Sequence, residues 1–334
     1  MSHYTHLTIE ERESILRMLV EGKKIQEIAK VLDRSPSTVS RELHRNCKRR
    51  EDYSPAKAEK AYRKRREKSG RQRLFSVNPA AKEEIRTLFL DLHWSPEQIA
   101  NRLRLENSSI QVSYATIYRG IYSHDLEVQP LARGSRGMAR KLRHSGKRRH
   151  RRGEEERRGK IPISHPLEER PDTANNRSEI GHWEVDTVAG KKGGSCLITS
   201  VDRKSRFTLG KRAARKAAQE VEDGMVTMLM QLPPEARRSL TPDRGKEFAT
   251  HASVTIRTGG TPFYFPRPHA PWERGTNENT NGLLREFLPK GVDMNSFSDE
   301  QIEGFIDLLN KRPRKCLGWK TPFEVFFDIS LQLT

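Results

Sequence analysis

Residues 182–212 read HWEVDTVAGKKGGSCLITSVDRKSRFTLGKR, three apolar and β-branched runs separated by the turns GKKGG and Arg203-Lys204-Ser205. Such runs, bounded by turn residues, predict a three-stranded meander. A helix from Ala213 to about Leu232 should follow, because Val221, Met225, Met228 and Leu229 recur at helical spacing, and a short strand then leads to Asp243. Farther on, the run WERGTNENTNGLLREF (272–287) holds a helix around Glu278 with two unlike faces. Leu283, Leu284, Phe287 and Leu288 form its apolar back, and Glu278, Asn281, Gly282 and Arg285 its polar front.

The order β-β-β-α-β-α is that of the ribonuclease H fold, which places acids at strand ends and on a later helix. Asp186 and Asp243 each lie at the end of or within an apolar segment, and Glu278 lies on the helix front. Three carboxylates on separate elements can meet in one cleft. Hard divalent cations take oxygen ligands, and two of them about 3.5–4 Å apart can activate water and neutralise a departing oxygen in phosphodiester cleavage. Asp186 is assigned as the bridge between two Mg2+ ions (Mn2+ as a substitute), with Asp243 and Glu278 each completing one. Glu184 shares a strand face with Asp186 and suits a supporting position; Asp202 suits an Asx cap of the basic turn. Glu247 is a further rival. Glu273, in an expected loop, is the alternative third ligand.

Net charge is +19, with 38 Lys and Arg against 21 Asp and Glu through Lys160 and 25 against 23 from Ile161 onward. A basic half followed by a nearly neutral half suggests a nucleic-acid holder joined to a unit with another task. Cys47, Cys196 and Cys316 are too few and too scattered for a disulfide framework, and no CxxC pair suggests zinc. With neither a signal peptide nor an apolar run near the roughly 20 residues of a membrane span, the expected location is a reducing cytoplasm, with no membrane partner.

At the start, Thr8 and Glu11 form a capping box ahead of Ile15, Leu16 and Leu19. After Gly22 comes a short helix with Ile25, Ile28, Ala29 and Leu32; Ser35-Pro36 then opens a third helix. There Val39 and Leu43 should face the core, leaving Ser37, Ser40, Arg41, His44 and Arg45 outside, the layout of a helix-turn-helix reader of DNA. An ordinary three-helix bundle with a solvated face would show the same pattern. A second trihelical pattern follows from Asn78 through the Ser95-Pro96-Glu97-Gln98 capping box to a helix capped by Ser113. Its Ile117 and Ile121 should point inward, with Ala115, Tyr118, Arg119 and Tyr122 free for DNA or for a neighbouring domain. Between Glu127 and Glu154 stand ten Lys or Arg, Arg148 and Arg149 among them, and no acid. That segment is expected to follow a phosphate backbone as an unstructured arm.

The chain resembles the bacterial insertion-sequence transposases of the IS-thirty family. The resemblance runs nearly end to end through LTIEERESI, IAKVLDRSPSTVSREL, HWSPEQIANRL, RSEIGHWEVDTVAG, LTPDRGKEF, WERGTNENTNGLLREFLPKG and LNKRPRKCLGWKTPFEVF. It implies an integrase-like core with the triad Asp186, Asp243 and Glu278, the last two separated by 34 residues, and Arg285 seven further on as a DNA-holding cation. It also implies cleavage at 3′ ends of the element, strand transfer to target DNA, binding of terminal inverted repeats, and a homodimer or higher oligomer on double-stranded DNA. Many members have Gly-Asp before Trp-Glu and Asn after the second Asp; His182 and Arg244 stand here, and no role carries over to them.

The expected organisation is multidomain, all-α helix-turn-helix units followed by an α/β ribonuclease H-like catalytic domain. Residues 1–50 form the first helix-turn-helix unit, 51–73 a charged helix or tether, 74–126 the second unit, 127–160 a basic linker and 161–334 the catalytic domain. The competing readings are a catalytically inactive DNA-binding regulator with an integrase-like dimerisation domain, and a nuclease acting on hybrids.

Overall fold

The computed structural model describes residues 5–69, 73–132, 134–142, 161–191, 193–268 and 270–334. The chain divides into two compact units, Met1–Arg73 and Leu74–Thr334.

In the first unit, α1 (Ile9–Val20), α2 (Ile25–Val31), α3 (Pro36–Asn46) and α4 (Pro55–Ser69) enclose Ile15, Met18, Ile28, Ala29, Val39 and Leu43. The capping box forms as read: Thr8 N donates to Glu11 at 2.7 Å and Glu11 N to the Thr8 hydroxyl at 3.2 Å. Helix α4 is the expected charged segment, and it docks in spite of its few apolar positions. Ala58 and Tyr53 are buried in the core. Arg12 of α1, 2% exposed, donates to Glu42 of α3 at 2.7 Å and to Glu59 of α4 at 2.5 Å. An ion pair thus supplies the attachment that apolar area does not.

The second unit begins with α5 (Leu74–Val77), α6 (Pro79–Leu90), α7 (Pro96–Leu105) and α8 (Tyr114–Tyr122). Trp94, Ile85, Ile99, Leu103, Ile117 and Ile121 form their core. The described part of the expected basic arm differs from its reading: residues 137–141 make a 3-10 turn whose Met138 and Ala139 are buried in this same core. Glu127 secures the turn by accepting from Met138 N at 2.6 Å. The segment is too polar to fold alone, but these two apolar residues find a neighbouring core.

Next come β1 (His165–Pro166), α9 (Asp172–Asn175), β2 (His182–Ala189), β3 (Cys196–Asp202), β4 (Thr208–Ala213), α10 (Ala218–Met230), β5 (Ser239–Thr241), α11 (His251–Arg257) and β6 (Tyr264–Phe265). Helices α12 (Gly275–Leu284), α13 (Asp299–Asn310) and α14 (Pro322–Phe327) close the chain. The sheet order is β4-β3-β2-β5, antiparallel across the meander and parallel between β2 and β5. A parallel bridge, Leu240 to Phe263, carries the sheet one step beyond β5. None of the described helices is long and apolar enough to cross a membrane.

Alternation of side chains along β2 decides which residues meet which helix. Trp183 and Val185 point into a core with Ile198 and with Val221, Met225 and Leu229 of α10. Glu184, Asp186 and Val188 face the other way, where α12 and α13 pack. Glycine permits close approach on both faces: a Cβ on Gly224 of α10 would strike Ile198, and one on Gly210 of β4 would strike Ile306 of α13.

Helix α7 is locked to the chain's C-terminal segment by a buried fork. Arg102 donates to both oxygens of Glu324, at 2.7 and 2.8 Å, and to Glu106 at 2.5 Å. Burial raises the Glu324 carboxyl, but the Arg102 bonds and the Leu331 and Thr321 amides outweigh it and hold it at about 2. Removing one member of such a pair strands the other. Glu324→Ala is expected to lower unfolding stability by about 3 kcal/mol, read as a shift of the urea midpoint; an unshifted midpoint contradicts the locking role.

His182, at the start of β2, is buried, with Nδ1 2.7 Å from the Ser239 hydroxyl and Nε2 3.2 Å from that of Thr173. Burial disfavours its cation and brings its pKa down to about 4. The stability due to neutral His182 is therefore complete above the ordinary value of 6.5 and is lost as pH falls through about 4. Thermal midpoints should drop over that window, and His182→Gln should flatten the profile; an equally steep variant would disprove the assignment.

Candidate active site

Asp186 lies within β2, and Asp243 lies two residues past the end of β5, the strand parallel to β2. One oxygen of each is already oriented by backbone: Thr187 N donates to Asp186 Oδ1 at 2.8 Å, and Gly245 N to Asp243 Oδ1 at 2.8 Å. The other oxygens share a cation. Arg274 places Nη2 3.2 Å from Asp186 Oδ2 and Nη1 3.7 Å from Asp243 Oδ2. Burial pushes the Asp186 carboxyl up, the Arg274 guanidinium opposes it, and the nearby Asp243 charge pushes it further up. The guanidinium offsets part of the repulsion between the two like charges.

Helix α12 presents the rest of the site. Asn281 donates to Asp186 Oδ2 at 3.1 Å, and the Thr199 hydroxyl lies 3.2 Å from the side-chain oxygens of both Asn277 and Asn281. Glu278 is exposed. Arg274, Glu278 and Asn281 follow at steps of four and three, so they share one helical face, and the outer two both reach Asp186. Glu278 thus shares a face with two side chains that contact Asp186, but is itself exposed. Among the described residues no group of three or more His, Cys, Asp or Glu is close enough to hold a metal ion.

The rivals are engaged elsewhere. Glu184, fully buried, pairs with Arg203 and accepts from Asn277 N at 2.9 Å in the first turn of α12. Asp202 caps its turn, accepting from Ser205 N at 2.7 Å, and also takes Gly181 N at 2.8 Å. Glu247 holds Lys216 at 2.6 Å, Glu273 holds Arg267 at 2.7 Å, and Arg244 donates to Pro266 O at 2.7 Å. Arg274 is the residue that sequence reading missed. Its signal was its position four residues before Glu278, but residues 271–274 read as a loop; they form a 3-10 turn leading straight into α12.

Of the expected DNA contacts, Ser37, Ser40, Arg41, His44 and Arg45 are all exposed on α3, opposite buried Val39 and Leu43. Arg119 is exposed on α8, where Tyr118 and Tyr122 stack with ring centroids 6.5 Å apart. Arg285 is partly buried beyond the end of α12 and donates to Ala189 O at 2.9 Å and Leu288 O at 3.2 Å, tying the helix to β2. Arg148 and Arg149 lie outside the described residues.

Residues 3–46 match the helix-turn-helix domain family, and residues 176–271 the integrase core domain family. The chain is 40% identical over 332 residues to the transposase InsI for insertion sequence element IS30A of Escherichia coli K12, covering 96% of this chain and 83% of that one. It is 36% identical over 332 residues to the transposase for insertion sequence element IS1086 of Cupriavidus metallidurans, covering 98% and 95%. Identity to the transposase for insertion sequence element IS4351 of Bacteroides fragilis is 36% over 326 residues, covering 97% and 96%. With a helix-turn-helix unit at its start, an integrase core around its two aspartates and this end-to-end kinship, the chain belongs to the insertion-sequence transposases of the IS-thirty family.

Proposed function

We propose that the chain is a working DNA transposase, in which Asp186, Asp243 and Glu278 hold divalent metal and cleave and rejoin phosphodiester bonds. The observation that carries this reading is the single guanidinium spanning Asp186 and Asp243. It marks a place where a cation is bound by two hard oxygen donors whose remaining oxygens are fixed by backbone amides. Those donors suit Mg2+, with Mn2+ as a substitute. Bound there, the metal would polarise the attacking oxygen and neutralise the leaving one.

The chain's own residues set the stage for that chemistry. Thr187 N, Gly245 N and Asn281 orient the two aspartates before any substrate arrives. Glu278 completes the set by a side-chain rotation on the face it shares with Arg274 and Asn281. In cleavage, water adds to phosphorus and the bond to the 3′ oxygen breaks, freeing a 3′ hydroxyl. In transfer, that hydroxyl attacks a target phosphate and expels the target's own 3′ oxygen. No covalent enzyme intermediate is needed.

The exposed Ser37, Ser40, Arg41, His44 and Arg45 of α3 suit base edges and phosphates in a major groove, and the element's terminal inverted repeats are the proposed site. Joining two ends requires two copies or more. Arg119 and the Arg148–Arg149 segment are assigned to non-specific phosphate contact, within a bacterial cytoplasm.

Labelled element ends incubated with Mg2+ should be nicked by the wild type and by Glu273→Gln, but not by Asp186→Asn, Asp243→Asn or Glu278→Gln. Equal nicking by all five would refute the ligand assignment, whereas binding with no nicking by the wild type would favour the regulator reading.

Arg274 must yield its place to metal. Without DNA, Arg274→Ala should bind Mn2+ about fivefold more tightly than the wild type, the equivalent of ~1 kcal/mol for a partly exposed ion pair. Protein-bound Mn2+ measured by electron paramagnetic resonance checks this, and weaker binding by the variant would show that Arg274 supports metal instead of competing with it.

A further inference from the structure

On the side of α12 away from the aspartates lies a cavity of about 150 Å3, lined by Arg177, Arg206 and Arg314 and by Thr276, Asn279 and Thr280 of the helix. Its volume equals that of about five waters at ~30 Å3 each, enough for a phosphate group with part of its hydration. The three arginines come from separate places: the turn after α9, the β3–β4 turn and the loop after α13. Arg206 donates to the Thr276 hydroxyl at 2.8 Å. Neither Arg177 nor Arg206 has a carboxylate partner among the described residues, whereas Arg102, Arg203 and Arg274 of the same unit each have one.

Cations crowd here at a cost. Partial desolvation, together with the charges of Arg206 and Arg203, pulls the Arg177 pKa down. The backbone is also strained to bring two of the three into place, with φ of +61° at Arg177 and +64° at Arg206. A left-handed conformation is unfavourable for an L residue, and such strain gathers at functional positions. Guanidinium groups converging with hydroxyls and with the positive end of a ten-residue helix form an anion seat.

We propose that this cavity binds a backbone phosphate of the DNA strand being processed, close to the one attacked at the aspartates. Naming the strand rests on the function proposed above. The seat is separated from Asp186 by the width of α12, whose Asn277 and Asn281 face the aspartate side. A phosphodiester chain crossing the N-terminal end of that helix would be gripped on one side and cut on the other.

The test uses the full chain with Arg177→Gln, an exposed position where folding should be unaffected, and Arg177→Gln combined with Arg206→Gln. Inorganic phosphate should raise the melting temperature of the wild type and leave that of the double variant unmoved. In duplexes carrying the element's ends, single phosphates near the cleavage point are replaced by neutral methylphosphonate. One such replacement should weaken wild-type binding but have no further effect on the variants, and the slope of log K against log salt should fall by about 0.9 for each phosphate that is no longer neutralised.

Phosphate protection with no sensitive position in the DNA would overturn the strand assignment in favour of a free-phosphate pocket, and the absence of both effects would overturn the seat itself. Either failure, combined with nicking that still depends on the three acids, would leave the function proposed above intact. Binding effects that persist in Asp186→Asn, which cannot cleave, would separate the seat from the chemistry.

Discussion

A buried carboxylate organises the integrase-core unit. Glu184 lies in the central strand with no exposure, so its charge must be met within the protein. It is met from two directions, by the Arg203 guanidinium from the turn after β3 and by the Asn277 amide in the first turn of α12. The second contact also satisfies one of the amides that a helix start leaves without an internal partner. One side chain therefore sets the docking angle of α12 on the sheet, and Asn281, one turn farther along, is delivered to Asp186.

From that docking follows the electrostatic design of the site. Parallel pairing of β2 with β5 brings Asp186 and Asp243 near each other, and the residue at the head of α12, Arg274, reaches both. The two carboxylates are thus oriented by backbone amides and bridged by one positive group. The same helix that carries this face carries on its other side the hydroxyls and amide that line the arginine cavity. Negative and positive clusters thus sit on opposite sides of one helix.

The division of charge along the chain has a structural counterpart. The basic first unit keeps the polar face of α3 outside and uses a buried Arg12–Glu42–Glu59 cluster to attach a helix with few apolar positions. In the second unit the Arg102–Glu324 fork fastens α7 to the chain's end. Both are long-range ion pairs closing what hydrophobic area alone does not, Arg12 to Glu59 over a sequence separation of 47 residues and Arg102 to Glu324 over 222.

What was legible from sequence was what local periodicity and capping encode. The meander, the capping boxes at Thr8 and Ser95, the inward Val39 and Leu43, the Asx cap at Asp202 and the polar front of α12 all depend on residues within a few positions of one another. Tertiary packing alone decided the rest. It joined Asp186 and Asp243 through Arg274, turned Arg285 onto the backbone of β2, made Glu184 a structural anchor, buried Met138 and Ala139 and collected three distant arginines around one cavity. The physical reason is that the partner satisfying a charge can come from any element that the fold brings within a few ångströms, whereas helix and strand periods report only which face a residue occupies.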